Sequence, residues 1–222
     1  MSDAGRVIAG SARGIRLLPA GKGTRPLGDR VKQALFGMLE PHLPDDRVLD
    51  LFAGSGAGGI EALSRGAASA VFVERDPGAA GVIAENLRRA SLSGIGSVVR
   101  MDVARYLRDR ASQDGPFDLV LIDPPYAEPQ LLDSALAALV AAPRVLDPEA
   151  WIVTKHFWRT PPEADPGLLA SVRTRRFGET GLTIFRLPGH AGGNAPSAMD
   201  EESAENDGDE PEGGSESEEA AG

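Results

Sequence analysis

The sequence predicts an α/β fold: a mostly parallel sheet covered by helices on both faces, closed by an antiparallel C-terminal hairpin and preceded by a β-hairpin and a helix. Two observations predict it. From Arg47 onward, short apolar runs alternate with stretches of helical periodicity, the pattern of strands joined by helical crossovers. The first run leads into a glycine-rich loop, and an acid ends the second run; that combination belongs to sheets whose carboxyl edge holds a ligand.

Each element follows from its own residues. "RVIAG" and "GIRLLP" flank an "SARG" turn and predict a hairpin. "GDRVKQALFGMLEPHL" puts Val31, Leu35, Met38 and Leu39 on one helical face, with Asp29 as the expected N-cap. "RVLDLF" is a compact apolar strand, and "GAGGIEALSRG" a helix ending at Gly66. "SAVFVERD" is the second strand, followed by a helix over "PGAAGVIAENLRRASL", whose Pro77 stands early, where proline is tolerated. "SVVRMD" and "VARYLRDRA" give a third strand and its helix, and "FDLVLID" and "EPQLLDSALAALVAA" the fourth pair. "EAWIVTKHF" is a fifth strand, and "ASVRTRRFGE" with "TGLTIFRL" makes the terminal hairpin around a glycine turn.

Composition bounds the chemistry. The 222 residues contain no cysteine, which excludes disulfides, thiolate metal sites and cysteine nucleophiles. Three histidines (His42, His156, His190), none in a His/acid cluster, give no expectation of a metal site. No apolar run has the length of a membrane span and no signal-peptide layout opens the chain, so a cytoplasmic protein is expected. The net charge of −10 is uneven: residues 191–222 hold eleven acids and no Lys or Arg, leaving 22 acids against 23 basic residues, a net of +1, over positions 1–190. The tail lacks the apolar content to offset its ordering entropy and is expected to be disordered, a solubilising segment or a competitor for the protein's own basic face. Positions 1–32 lean the other way, with Arg6, Arg13, Arg16, Lys22, Arg25, Arg30 and Lys32 against Asp3 and Asp29. The expected organisation is a basic arm over 1–28, a catalytic domain over 29–190 and the acidic tail over 191–222.

In "DLFAGSGAGGIEAL", Gly54, Gly56 and Gly59 match G-x-G-x-x-G, and Glu74 stands 20 residues after Gly54. The pattern predicts close approach of a nucleotide to backbone at a helix N-terminus, with the acid accepting from ribose hydroxyls. It serves dinucleotides and S-adenosylmethionine alike. Asp50, inside the first strand, favours the second, because an acid suits a methionyl ammonium and repels a pyrophosphate. Asp102 at the end of the third strand can accept from an adenine amine beside Val103, and can equally cap the following helix.

The most specific stretch is "IDPPY". Asp123 ends a buried strand, Pro124 and Pro125 stop regular structure, and Tyr126 offers a ring. An exocyclic aromatic amine is a poor nucleophile, and acceptors at Asp123 and the Pro124 carbonyl would steer its nitrogen toward a sulfonium methyl while Tyr126 stacks on the base. Such a base must leave its stack to reach the pocket. Helix capping by Asp123 is the bland alternative; it leaves the prolines and Tyr126 unexplained.

"RVIAG…RG", "TRPLGDRVKQALF", "VLDLFAGSGAGGIEALSRGA", "VERD", "IDPPY" and "FGETGLTIFR" together resemble the RsmD family of small-subunit ribosomal RNA guanine-N2 methyltransferases, over about residues 6–188. The resemblance implies a Rossmann-like class I methyltransferase fold, a three-layer sandwich, with S-adenosyl-L-methionine as cofactor and guanine N2 of rRNA as acceptor. It implies Asp123, Pro124, Pro125 and Tyr126 as the catalytic stretch, and Ala53, Gly54, Ser55, Gly56 and Glu74 as the cofactor cradle, to which Asp50, Phe52, Arg75, Asp102 and Val103 are added. Arg6, Arg13, Arg16, Arg25, Arg30 and Lys32 are the expected RNA contacts, the partner being rRNA or an assembling small subunit and the protein a monomer. The chain departs from the family at Leu27-Gly28, where a hydroxyl-bearing pair is usual, at Phe177, and at Lys155, near which many members carry an acid. An adenine-N6 methyltransferase with the same chemistry, an NAD-dependent oxidoreductase and a non-catalytic RNA-binding module are the alternatives; the oxidoreductase leaves "DPPY" without a role.

Overall fold

A computed structural model of the chain describes residues 5–21 and 28–188. Its elements run α1 (Asp29–Leu39), β1 (Arg47–Leu51), α2 (Ala57–Ser64), β2 (Ser69–Glu74), α3 (Pro77–Arg89), β3 (Gly96–Arg100), α4 (Val103–Asp109), α5 (Ala111–Asp114), β4 (Phe117–Ile122), α6 (Gln130–Ala141), β5 (Leu146–Phe157), β6 (Ala170–Phe177) and β7 (Thr180–Arg186). The seven strands form one sheet in the order β3-β2-β1-β4-β5-β7-β6. Strands β1 to β5 pair in parallel, whereas β7 is antiparallel to both β5 and β6. This is the Rossmann-like class I methyltransferase arrangement.

The two sheet faces are covered by different helices. On one, Leu35 and Phe36 of α1, Ile60 and Leu63 of α2 and Ile83 and Leu87 of α3 pack with Val7, Ala12 and Leu17 of the N-terminal segment. On the other, Tyr106 and Leu107 of α4, Ala111 of α5 and Leu132, Leu136 and Leu139 of α6 pack against Leu49, Val120 and Ile152. Burying both faces requires strands that are apolar on each side, which "VLDL" (Asp50 apart), "LVLI" and "WIV" supply. Because β1 lies between β2 and β4, the crossovers leave it in opposite directions, and the crevice beyond the carboxyl ends of β1 and β4 is where such sheets bind ligands.

Several boundaries differ from expectation. The N-terminal hairpin reduces to a single antiparallel bridge, Arg6 with Arg16, flanked by bonds from Val7 N to Ile15 O and from Gly14 N to Val7 O. Gly28, not Asp29, is the N-cap of α1, and the Asp29 carboxylate meets Arg6 at 3.2 Å instead. The helix expected over 103–111 breaks at Arg110 into α4 and α5. Helix α6 starts at Gln130, after Pro129 at its N-cap, a place where a missing N–H does no harm.

Candidate active site

The glycine loop leaves β1 through three left-handed residues, Phe52 at φ 60°, Gly54 at 55° and Gly56 at 77°. Gly54 N donates to Glu74 Oε2 at 2.9 Å, Asp76 N to Glu74 Oε1 at 2.8 Å, and Ala53 N to the Val73 carbonyl at 3.1 Å. The loop is thereby tied to the end of β2, with Ser55 buried behind it. The glycines do different work. A Cβ at Gly54 would meet only the Phe52 carbonyl, at 3.9 Å, so this position is open to close approach. A Cβ at Gly59 would lie 2.4 Å from the Phe72 ring, so the third glycine is required by packing of α2 on β2 rather than by a ligand.

Asp50 is buried beneath the loop and accepts from Gly59 N at 2.8 Å. Burial pushes its carboxyl up to about 8, partly offset by the Gly59 bond and reinforced by the nearby charges of Asp123 and Glu74. Asp102 accepts from Arg105 N at 3.2 Å and so caps α4, while Val103 is buried in the α4 side of the core. Arg75 reaches across from β2 to Glu128 at 2.9 Å, joining the second strand's edge to the segment after Tyr126.

Asp123 follows β4, and its carboxylate faces the ammonium of Lys155. The Lys155 Nζ lies 2.7 Å from Oδ1 and 2.8 Å from Oδ2. Register explains the meeting: Ile122 pairs with Thr154 in parallel, so the next residues on the two strands are neighbours. Burial raises the Asp123 carboxyl above its ordinary value, and Lys155 opposes that rise by charge and by hydrogen bonding. The ammonium also lies 5.1 Å from the centre of the Tyr126 ring, and the Tyr126 hydroxyl shares a 3.1 Å hydrogen bond with Thr180 Oγ1 at the start of β7. Pro124, Pro125, Tyr126, Lys155, His156 and Phe157 line a solvent-open cleft.

The basic residues of the first segment are not equivalent. Arg6, Arg13, Arg16 and Arg30 are exposed, whereas Arg25 lies outside the described residues. Lys32 does not fit an RNA contact: it is wholly buried, donates to the Arg6 carbonyl and sits 3.8 Å from Asp29 Oδ1. Its charge holds the arm to α1. Three further residues, unexpected from the sequence, fasten the arm to helices α2 and α3. Buried Glu61 accepts from Ile8 N at 2.8 Å and Ala9 N at 3.1 Å. Ser64 Oγ accepts from Ala12 N at 2.9 Å and donates to the Ala9 carbonyl at 2.6 Å. Asn86 accepts from Leu18 N at 2.7 Å, donates to the Leu18 carbonyl at 3.0 Å, and also donates to the Ser55 carbonyl of the glycine loop at 2.9 Å. Their signal was polarity at helix positions otherwise committed to the core.

Comparison with known proteins agrees with this layout. A family model described as "Conserved hypothetical protein 95" matches residues 5–186. The Bacillus subtilis protein YlbH is 38% identical over 185 residues, 83% of this chain and 100% of its own length. The Escherichia coli protein "Ribosomal RNA small subunit methyltransferase D" is 34% identical over 164 residues, 73% of this chain and 77% of its own. Among solved structures, yhhF from Escherichia coli superimposes with a TM-score of 0.70 at 32% identity, covering 82% of this chain and 97% of that one.

Proposed function

Because the chain belongs to the family described as conserved hypothetical protein 95, an RsmD-type family, we propose that it transfers a methyl group from S-adenosylmethionine to the exocyclic N2 of a guanine in small-subunit rRNA. The relatives' name supports the rRNA substrate, and the arrangement of Asp123, Lys155 and Tyr126 supports an aromatic amine as acceptor. The residues fit the cofactor. Asp50, Glu74 and Asp123 gather carboxyl groups at one end of the sheet, an environment that a cation stabilises by ionising them and that is hostile to a pyrophosphate. Each Glu74 oxygen already accepts one backbone bond and retains capacity for a ribose hydroxyl. Asp50 would face the methionyl ammonium, Asp102 the adenine amine, and Val103 the ring.

S-adenosylmethionine, when bound, supplies a methyl group made electrophilic by its sulfonium. The chain's part is to aim the acceptor. Asp123 and the Pro124 carbonyl accept the two amine hydrogens, orienting the nitrogen's lone pair. Lys155 favours the ionised Asp123, the form that accepts at both oxygens. Tyr126, steadied through its hydroxyl by Thr180, stacks on the base. The amine proton departs after transfer, so no strong base is required.

The Asp123–Lys155 pair beside the Tyr126 ring carries this reading. Its test is to incubate the protein with methyl-labelled S-adenosylmethionine and small-subunit rRNA or subunits, digest the RNA and identify the labelled nucleoside by mass spectrometry. N2-methylguanosine is expected; N6-methyladenosine, or no labelled nucleoside, overturns the proposal.

A further inference from the structure

The turn between β6 and β7 connects the cleft to a pair of arginines outside it. Thr180 bonds Tyr126, the neighbouring Glu179 carbonyl accepts from Trp158 N at 3.0 Å, and the Gly178 carbonyl accepts from Arg176 Nε at 2.9 Å. The Arg176 guanidinium lies 3.6 Å from the centre of the Trp158 ring and that of Arg159 lies 4.9 Å from it. Both arginines are exposed, and among the described residues neither meets a carboxylate. Phe157 and Thr160, on either side of Trp158 and Arg159 in the chain, line the cleft itself.

We infer that Arg159 and Arg176, mounted on Trp158, form a phosphate-binding element that holds the RNA strand next to the nucleotide whose base occupies the Tyr126 cleft. This rests on the RNA-methylating reading above. The indole attracts both cations through its π face, yet it also brings two like charges together without a counter-ion among the described residues, which an anion between them would relieve. A guanidinium stacked by its face keeps its N–H edges outward, and with Nε fixed on Gly178 the remaining Arg176 donors are preorganised for the bidentate geometry that phosphate oxygens accept. The same edge strand carries Arg173 and Arg175, and Arg173 is destabilised as a cation first by desolvation and then by Arg175. Four arginines, Arg159, Arg173, Arg175 and Arg176, thus stand on or near this edge strand, in a body whose positions 1–190 carry only +1. A nucleotide drawn out of its stack into the cleft leaves neighbouring phosphates within a few ångströms of the rim, and this is the rim that the shared turn builds.

The test uses the full chain and small-subunit rRNA, measuring equilibrium binding across a salt series and steady-state methylation. For Arg159→Gln with Arg176→Gln, the slope of log affinity against log salt should fall by about 0.7 per contact removed, about 1.4 in all. The rRNA KM should rise about ten- to a hundredfold, with kcat, melting temperature and S-adenosylmethionine affinity unchanged. Arg→Lys at both positions should restore most of the salt slope but not the wild-type KM, because charge returns without the fork. An unaltered slope and KM in the Gln variant, with a wild type that methylates rRNA, overturn this inference alone. A wild type that neither binds nor methylates rRNA overturns it together with the reading beneath it.

Discussion

In the proposed reacting centre, Asp123 and Lys155 exert opposing effects on one proton. Burial favours the neutral acid, and the ammonium at 2.7 Å favours the carboxylate. Lys155→Met removes only the second effect. Asp123 then titrates at higher pH, so the acid limb of the kcat–pH profile moves upward and recovers where the carboxylate is ionised. Each unit of movement lowers the rate on that limb about tenfold, whereas Lys155→Arg, which keeps the charge, should move it far less. A Lys155→Met profile that is uniformly lowered without moving would make Lys155 merely structural. The sequence located Asp123 and Tyr126 through an uninterrupted motif, yet gave no hint of their partner. Lys155 stands 32 residues away, and only the register of two parallel strands brings it there. Sheet register arises from long-range pairing and has no local signature.

At the scale of elements, the strand–helix alternation was legible because both faces of a parallel sheet impose apolar runs. The attachment of the N-terminal segment was not, since it depends on Glu61, Ser64 and Asn86 satisfying backbone groups more than 50 residues away. The segment read as a basic arm is also part of the core, through Val7, Ala12 and Leu17. Two of its glycines distinguish docking from local turn strain. Gly10 and Gly14 have similar φ, 84° and 85°, so alanine strains both backbones by about 1 kcal/mol. At Gly14 the added Cβ meets nothing within 4 Å, whereas at Gly10 it would fall 1.7 Å from the Ser64 carbonyl oxygen. Gly14→Ala should therefore lower stability by about 1 kcal/mol, and Gly10→Ala by at least about 3 kcal/mol, the level of severe steric and hydrogen-bond disruption. Chemical denaturation of the two variants measures the difference; equal losses would mean that the arm does not dock on α2.

Across the whole molecule, acidic groups meet at the carboxyl edge of the sheet and a set of arginines stays on the surface. The carboxyl groups of Asp50, Glu74 and Asp123 lie close together at the carboxyl end of the sheet, while Arg6, Arg13, Arg16, Arg159 and Arg176 are exposed. A cationic cofactor and an anionic polymer would thus each find the opposite sign. The interior acid can be read by titration. Asp50 is raised from 3.8 to about 8, chiefly by burial, so the folded protein holds a proton that the unfolded chain has lost. Its contribution to stability is full below about pH 4 and is lost as pH rises through about 8. Asp46, raised by burial to about 7, acts with the same sign over a narrower range, so Asp50→Asn should flatten the stability–pH curve only in part. The same proton reports on the cofactor. If Asp50 receives the methionyl ammonium, binding at pH 7 must ionise it, and calorimetry in buffers of different ionisation enthalpy should detect about one proton released per site, fewer if Asp50 is partly ionised beforehand. Asp50→Asn should bind without that release. A buffer-independent enthalpy in the wild-type protein would place the ammonium elsewhere and leave Asp50 as a neutral acid that packs the first turn of α2.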